Sequence, residues 1–126
     1  MTEKKYLKLS DIKSYKQAFL LANKVWVIVV KWDYFAKTTI GVQFVNAVDS
    51  VSANIAEGFG RYSKKDKVRF YRMAYASLIE ALDWNQKAFA RKLVNKEDYI
   101  LILDELKRLP KEINHLINFT NEKLKI

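Results

Sequence analysis

Four long segments of this chain place apolar residues three and four positions apart, and almost no Gly or Pro interrupts them. This spacing aligns side chains on one face of an α-helix, whereas a half-buried strand would alternate apolar and polar residues. Only three Gly and one Pro occur, which argues against the many turns of a β-sandwich or barrel. Short breaks make successive helices antiparallel. The sequence therefore predicts an all-α, up-down antiparallel four-helix bundle over residues 10–126.

Length and composition favour one soluble domain. A chain of 126 residues, half of them apolar, can bury a core without disulfides or metals. The absence of Cys excludes disulfides, thiolate nucleophiles and Cys-based metal sites. We interpret residues 1–9 as a flexible basic N-terminal tail rather than a signal peptide, because they lack an apolar run. The most apolar run, Val25 to Val30, is far shorter than a membrane span, so we expect a cytoplasmic protein without a membrane partner.

The first segment is apolar around more than one face. It opens at Ser10 and Asp11, a good N-cap pair. A helix of this kind needs more than one partner surface, so we expect a homo-oligomer. The predicted core stripe is Ile12, Tyr15, Phe19, Ala22, Trp26 and Val29, and the apolar residues outside it are Leu20, Val25, Val27, Ile28 and Trp32.

The second and third segments each show a single apolar stripe. The second begins near Thr38 and Thr39 and runs to about Phe59, and the third begins at Ser63, with Asp66 three residues later as a weak capping box. The predicted face of the second is Phe44, Ala47, Val51, Asn54 and Gly58. The predicted face of the third is Phe70 or Tyr71, Ala74, Leu78, Ala81, Asn85 and Ala88.

Pro110 lies inside the fourth segment, which Asn95 caps. Pro removes a backbone donor and clashes with the preceding turn, so we expect a kink near residues 107–109. The apolar pattern resumes in phase afterwards, which favours one kinked helix over two. Its predicted stripe is Tyr99, Ile102 or Leu103, Leu106, Ile113, Leu116 or Ile117, Thr120 and Leu124.

Positive charge comes from two parts of the chain, residues 1–37 and the third segment. The net charge of the chain is +9, and residues 60–92 hold nine Lys or Arg against three Asp or Glu. Lys65, Arg69 and Arg72 follow one helical stripe that would contact phosphates, and Tyr62 could stack on a base. A solvated helix face is the alternative reading. The candidate nucleic-acid-binding residues are Arg61, Tyr62, Lys64, Lys65, Lys67, Arg69 and Arg72.

A second polar set recurs at a spacing of three residues. Asn54 and Glu57 share a face of the second helix with Gly58, and Ser77 and Glu80 repeat the spacing on the third. We expect a structural polar network in which Gly58 allows close helix approach. An acid/base pair is the alternative, although no second catalytic residue type accompanies it. Glu57 and Arg61 have the spacing of a helical ion pair.

Three stretches resemble the 23S rRNA intervening-sequence family of small four-helix bundle proteins. They are Ala53 to Arg61, which reads Ala-Asn-Ile-Ala-Glu-Gly-Phe-Gly-Arg, then Arg69 to Arg72, and Ala74 to Glu80, where Ala76 replaces a family Gly. The diversity-generating retroelement accessory protein is a relative of this family. The resemblance implies a four-helix bundle, commonly a homopentamer, with a suspected nucleic-acid-binding role, and in the accessory branch binding of RNA and a reverse transcriptase.

Catalytic and metal chemistry find little support. Glu112 and His115 have the Glu-x-x-His spacing of di-iron bundles, but those sites need two such motifs and this chain has one His. We therefore expect no metal, no cofactor and no enzyme activity. The favoured hypothesis is a non-catalytic oligomer that binds RNA or DNA, with RNA favoured. The alternative is a protein–protein interaction scaffold without a nucleic-acid ligand.

Overall fold

The computed structural model describes residues 8–124, which form four helices and no strand. α1 is Lys13–Val29, α3 is Lys64–Ala90 and α4 is Lys96–Lys123. α2 covers residues 34–60 as a first turn at Tyr34–Ala36, a π-helical turn at Lys37–Gly41 and an α-helix at Val42–Gly60. The all-α, four-helix prediction is confirmed. Of the expected tail at residues 1–9, residues 1–7 lie outside the described part, and Leu9 begins a 3-10 turn at Leu9–Asp11.

Helix starts follow the predicted caps for α3 and α4 only. The side chains of Ser63 and Asn95 accept hydrogen bonds from the backbone of Asp66 and Asp98, at 3.1 and 2.7 Å. For α1 the prediction is wrong: Ser10 and Asp11 lie in the 3-10 turn, and α1 starts after Ile12 without a side-chain cap. α2 begins earlier than expected, because Asp33 caps it through the backbone N–H of Ala36.

The face of α3 that is buried is the predicted one. Its buried residues are Tyr71, Ala74, Leu78, Ala81, Asn85 and Ala88. α3 packs against α2 and α4, and α1 packs against the same two helices. In α2 the fully buried side chains include Phe44, Val51 and Ile55, whereas Asn54 is only partly buried. The core therefore lies between all four helices.

The predicted core stripe of α1 is partly wrong. Phe19 and Trp26 are 46% and 56% exposed, whereas Val25, expected outside the stripe, is completely buried. Apolar residues surround much of α1, so periodicity alone does not select the face that enters the core. The buried face carries small residues that permit close packing and leaves the large rings outside. Its members are Ser14, Ala18, Leu21, Ala22, Val25 and Val29.

α4 continues through Pro110 as one helix, which confirms that the segment is not two helices. The expected kink near residues 107–109 stays a prediction. Leu109 joins the buried stripe directly before the proline, and Tyr99 is only half-buried. The buried residues of α4 are Ile102, Leu106, Leu109, Ile113, Leu116, Ile117 and Thr120. Within residues 8–124, no helix is both long and apolar enough to cross a membrane.

Gly58 lies at a close contact between α2 and the buried Tyr71 ring of α3. A Cβ atom added there would lie 2.6 Å from Cε1 of Tyr71 and 3.0 Å from the carbonyl oxygen of Lys67. No larger residue fits without displacing the buried Tyr71 ring or the α3 backbone. The predicted role of Gly58 in close helix approach is confirmed.

Candidate nucleic-acid interface

The turn between α2 and α3 is fixed from both sides. Ser63 caps α3, and the ammonium of Lys67 donates to the carbonyl oxygen of Phe59 at 2.7 Å and of Gly58 at 3.5 Å. The last carbonyls of a helix lack the usual intrahelical donors, and Lys67 supplies a donor to that of Phe59, whereas that of Gly58 also accepts from the backbone N–H of Arg61. Burial lowers the pKa of Lys67 below its usual value. Lys67 therefore closes the end of α2. Its expected contact with a nucleic acid stays a prediction.

Lys64 also makes a structural contact. Its ammonium donates to the backbone carbonyl oxygen of Asn121 at 3.2 Å, which joins the first turn of α3 to the last turn of α4. The charge remains partly exposed at this end of the molecule. Its geometry is thus set by the end of α4, a partner that lies 57 residues away in sequence.

Arg61 and Arg69 both lie against the ring of Phe70. Their Cζ atoms are 4.5 and 4.7 Å from the centroid of that ring, well within cation–π range. Arg61 also pairs with Glu57 at 2.8 Å, which confirms the predicted ion pair, and Arg69 lies 3.7 Å from Asp66. Their side chains remain 40% and 57% exposed. Phe70 therefore orients two guanidinium groups that solvent, or an anion, can still reach.

Lys65, Arg69 and Arg72 form what we call the basic stripe. Their spacing places Arg69 about 6 Å and Arg72 about 10 Å along the helix axis from Lys65. All three are exposed, and within residues 8–124 neither Lys65 nor Arg72 takes part in an ion pair or a hydrogen bond. Two of the three cations are thus free of protein partners in the described part. Such a row can contact the phosphates of a nucleic acid.

The expected polar network across α2 and α3 does not form. The amide of Asn54 donates to the carbonyl oxygen of Ser50 in its own helix at 2.9 Å, and Glu57 pairs with Arg61. Glu80 accepts a hydrogen bond from the indole of Trp84 at 3.2 Å. Ser77 makes no hydrogen bond to any described residue. The helices meet through Gly58 and Tyr71 instead. Asn54, Glu57 and Glu80 make their contacts with residues four positions away in sequence.

Comparison with known protein families shows to which family this chain belongs. The family model of the 23S rRNA-intervening sequence protein matches residues 10–115. The chain belongs to this family. The match confirms the resemblance and covers α1, α2, α3 and most of α4, including the turn and the basic stripe. No curated protein matches the sequence.

A groove lies on the outer surface of the bundle between α1 and α2. The sequence did not predict it, because Trp26 belongs to the predicted core stripe of α1. Trp26 and Val30 of α1 and Val42 and Val45 of α2 line a groove of about 280 Å³, together with Val29, Lys37, Gly41 and Asn46. We call it the outer groove. Trp26, Val30 and Val42 are 56%, 42% and 47% exposed. The sequence signal for it was present, since Trp26 lies in a helix with more apolar residues than one face can hold.

The fourth helix holds the single histidine. His115 lies 3.8 Å from Glu112, which also pairs with Lys13 of α1 at 3.3 Å. Across residues 8–124, no group of three or more His, Asp or Glu side chains is arranged to hold a metal ion. The described contacts of Glu112 are therefore those of a residue that joins α1 to α4.

Proposed function

We propose that this family member is a non-catalytic nucleic-acid-binding protein, with RNA the favoured ligand, and that its basic stripe contacts phosphates. The observation that carries the proposal is the exposed row of Lys65, Arg69 and Arg72, two of which have no partner among the described residues. A structural role would pair these cations with carboxylates or carbonyls, as it does for Lys64 and Lys67. The family name, which refers to 23S rRNA, supports a link to RNA.

Electrostatics supports the same ligand class. The chain carries a net charge of +9, which attracts polyanions over a distance set by the ionic strength. Phosphate contacts from lysine and arginine give affinity and position with little base specificity. We therefore expect binding that depends strongly on salt and weakly on sequence.

A salt titration tests the proposal. Fluorescence anisotropy of a labelled, structured RNA would be measured with the wild-type protein at increasing KCl. If each chain neutralises about three phosphates, the logarithm of the association constant falls with the logarithm of salt with a slope of about −2 to −3. No binding at low salt, or binding that is independent of salt, would exclude the proposal.

Charge reversal locates the interface. The triple variant Lys65→Glu, Arg69→Glu, Arg72→Glu should weaken binding to all RNAs alike and flatten the salt slope. The matched control, Lys96→Glu, Lys107→Glu, Lys111→Glu, makes the same change in net charge at exposed positions of α4. Equal losses in the two variants would show that only net charge matters and that the stripe is not the interface.

A protein-interaction scaffold is the second candidate, because the outer groove exposes apolar side chains of α1 and α2. We propose that copies of this chain cover it in a homo-oligomer. A homopentamer, which the family resemblance implies, would repeat the basic stripe several times and raise the avidity for a long polyanion. The two candidates use different residues, so variants of the stripe and of the groove test them separately.

The finer architecture is part of the same proposal. An up-down antiparallel order is supported by the three-residue and five-residue connections at residues 61–63 and 91–95, and by the contacts of each long helix with the next. We also propose a bend of α4 at Pro110, where the ring replaces a backbone donor.

A further inference from the structure

An exposed aromatic ring lies directly beside the cations of the turn. Tyr62, in the connection between α2 and α3, is 78% exposed. Within residues 8–124 its ring contacts no other aromatic ring or cation, and its hydroxyl makes no hydrogen bond. Arg61 precedes it, and Lys65 follows three residues later. A large ring in this position breaks no hydrogen bond and no ring contact within the described residues when it binds an external partner.

The other aromatic rings near the turn already have partners. Phe70 carries the guanidinium groups of Arg61 and Arg69, and Phe59 has the ammonium of Lys67 at 5.6 Å from its centroid. Tyr62 is therefore the ring of this turn that remains available for stacking.

The backbone on each side of Tyr62 is also anchored. Arg61 is held by Glu57 and by the Phe70 ring, and its backbone N–H donates to the carbonyl oxygen of Gly58. Ser63 caps α3 through the backbone of Asp66. With both neighbours fixed, binding at Tyr62 requires little ordering of the turn, which reduces the entropic cost of association.

We infer that Tyr62 stacks on an unpaired base, and that the preferred ligand therefore contains single-stranded nucleotides rather than continuous duplex. This inference rests on the proposed function. Inside a duplex both faces of a base are covered by its neighbours, so an aromatic side chain can stack only on bases in loops, bulges, ends or single strands. The basic stripe contacts phosphates in either ligand, whereas Tyr62 distinguishes the two.

Binding of two RNA probes to Tyr62 variants tests the inference. One probe is an unstructured uridine- and cytidine-rich strand of about 20 nucleotides. The other is a blunt duplex of about 40 base pairs, in which the terminal pairs are a small share of the sites, and the two are compared at equal phosphate concentration. Anisotropy at one fixed, low salt concentration compares wild type with Tyr62→Ala, Tyr62→Leu and Tyr62→Phe. Leu keeps apolar bulk without an aromatic face, and Phe keeps the face.

We expect Tyr62→Ala and Tyr62→Leu to weaken single-strand binding by about tenfold, with Tyr62→Phe within about twofold of wild type. Duplex binding should change by less than about twofold in all three variants, because the phosphate contacts are retained.

Unchanged single-strand binding in Tyr62→Ala, or equal losses on both probes, would overturn the inference alone, provided that the basic-stripe variant still loses binding. If wild type binds neither probe at low salt, the proposed function itself fails and the inference fails with it. Loss in Tyr62→Phe equal to that in Tyr62→Ala would assign the effect to the hydroxyl and also overturn stacking.

Discussion

Gly58 and Tyr71 show how one residue pair sets the distance between two helices. The ring of Tyr71 occupies the space where a Cβ of residue 58 would lie, and the ring is only 2% exposed. Interiors pack densely, so this contact tolerates little added volume. Gly60, two residues later in the same helix, has nothing within 4 Å of the equivalent position.

These two glycines should respond oppositely to the same substitution. Gly58→Ala should destabilise the protein by about 1–2 kcal/mol, because overpacking against Tyr71 exceeds the gain in helix propensity. Gly60→Ala should stabilise it by a few tenths of a kcal/mol or leave it unchanged. Urea denaturation at a fixed protein concentration measures both. If Gly58→Ala were neutral or stabilising, the Tyr71 ring or the helices would have moved to accept the added methyl group without loss of stability.

Tyr71 also makes the stability of the fold depend on pH in the alkaline range. Burial raises its pKa to about 12, from about 10 in an unfolded chain. The folded state therefore retains the phenol proton that the unfolded state loses, and stability from this residue falls as pH rises from 10 to 12. Tyr71→Phe should remove this loss, with an advantage of about 1 kcal/mol over wild type at pH 11.

At pH 7 Tyr71→Phe should change stability little, because the hydroxyl makes no hydrogen bond within residues 8–124. The many lysines titrate in the same pH range, but they are identical in the two proteins. Their effect therefore cancels in the difference between the two free energies of unfolding. Parallel stability curves for wild type and variant between pH 9 and pH 11.5, measured by urea denaturation, would refute the assignment to Tyr71.

The sequence could predict Gly58 but not the roles of Lys64 and Lys67. A small residue within an apolar helix face indicates close approach before any partner is known. The positive charge of a lysine, by contrast, suits both a phosphate and a backbone carbonyl. The carbonyl partners come from the end of α2 and, 57 residues away, from the end of α4. Only the packed helices bring those acceptors within reach.

At the scale of whole elements, α3 was predicted well and α1 poorly for one physical reason. The apolar residues of α3 lie in one narrow stripe, so its period identifies the buried face. α1 has more apolar residues than its buried face holds, so its periodicity is compatible with more than one buried stripe. The core takes Ala18 and Val25, which are buried, and leaves Phe19 and Trp26 exposed, because smaller side chains allow closer packing.

Helix caps give an element-scale prediction with an internal control. Asn95→Ala should destabilise the protein by about 1 kcal/mol, because the backbone N–H of Asp98 loses its 2.7 Å acceptor. Ser10→Ala, at a cap that the sequence suggested but the fold does not use, should change stability by less than about 0.5 kcal/mol. Urea denaturation of wild type and both variants measures the two losses in stability. Equal effects would mean that the cap of α4 contributes nothing specific.

At the scale of the molecule, two surfaces of different chemistry occupy different helices. The outer groove is built by α1 and α2 and is apolar, whereas the basic stripe belongs to α3. Apolar surface left outside a core favours association, and an exposed row of cations with few partners opposes burial against another basic copy. The arrangement therefore favours self-association through the groove with the stripe left open to an anionic ligand.

Self-association through the outer groove is tested by a charge placed within it. Trp26→Glu adds a carboxylate where the groove would be covered, and burying an unpaired charge is costly, so the assembly should dissociate. Sedimentation velocity over a range of concentrations should show an oligomer for wild type and mainly monomer for Trp26→Glu. Ile100→Glu, at a 41% exposed apolar position of α4, should sediment as wild type does.

The same variant separates assembly from ligand binding. If the stripe binds RNA independently in each copy, monomeric Trp26→Glu should bind a short strand with unchanged affinity per chain and lose only the avidity for a long one. A wild-type protein that stays monomeric at every concentration would overturn self-association. It would leave the groove to another polypeptide, while the salt dependence that the basic stripe predicts would be unaffected.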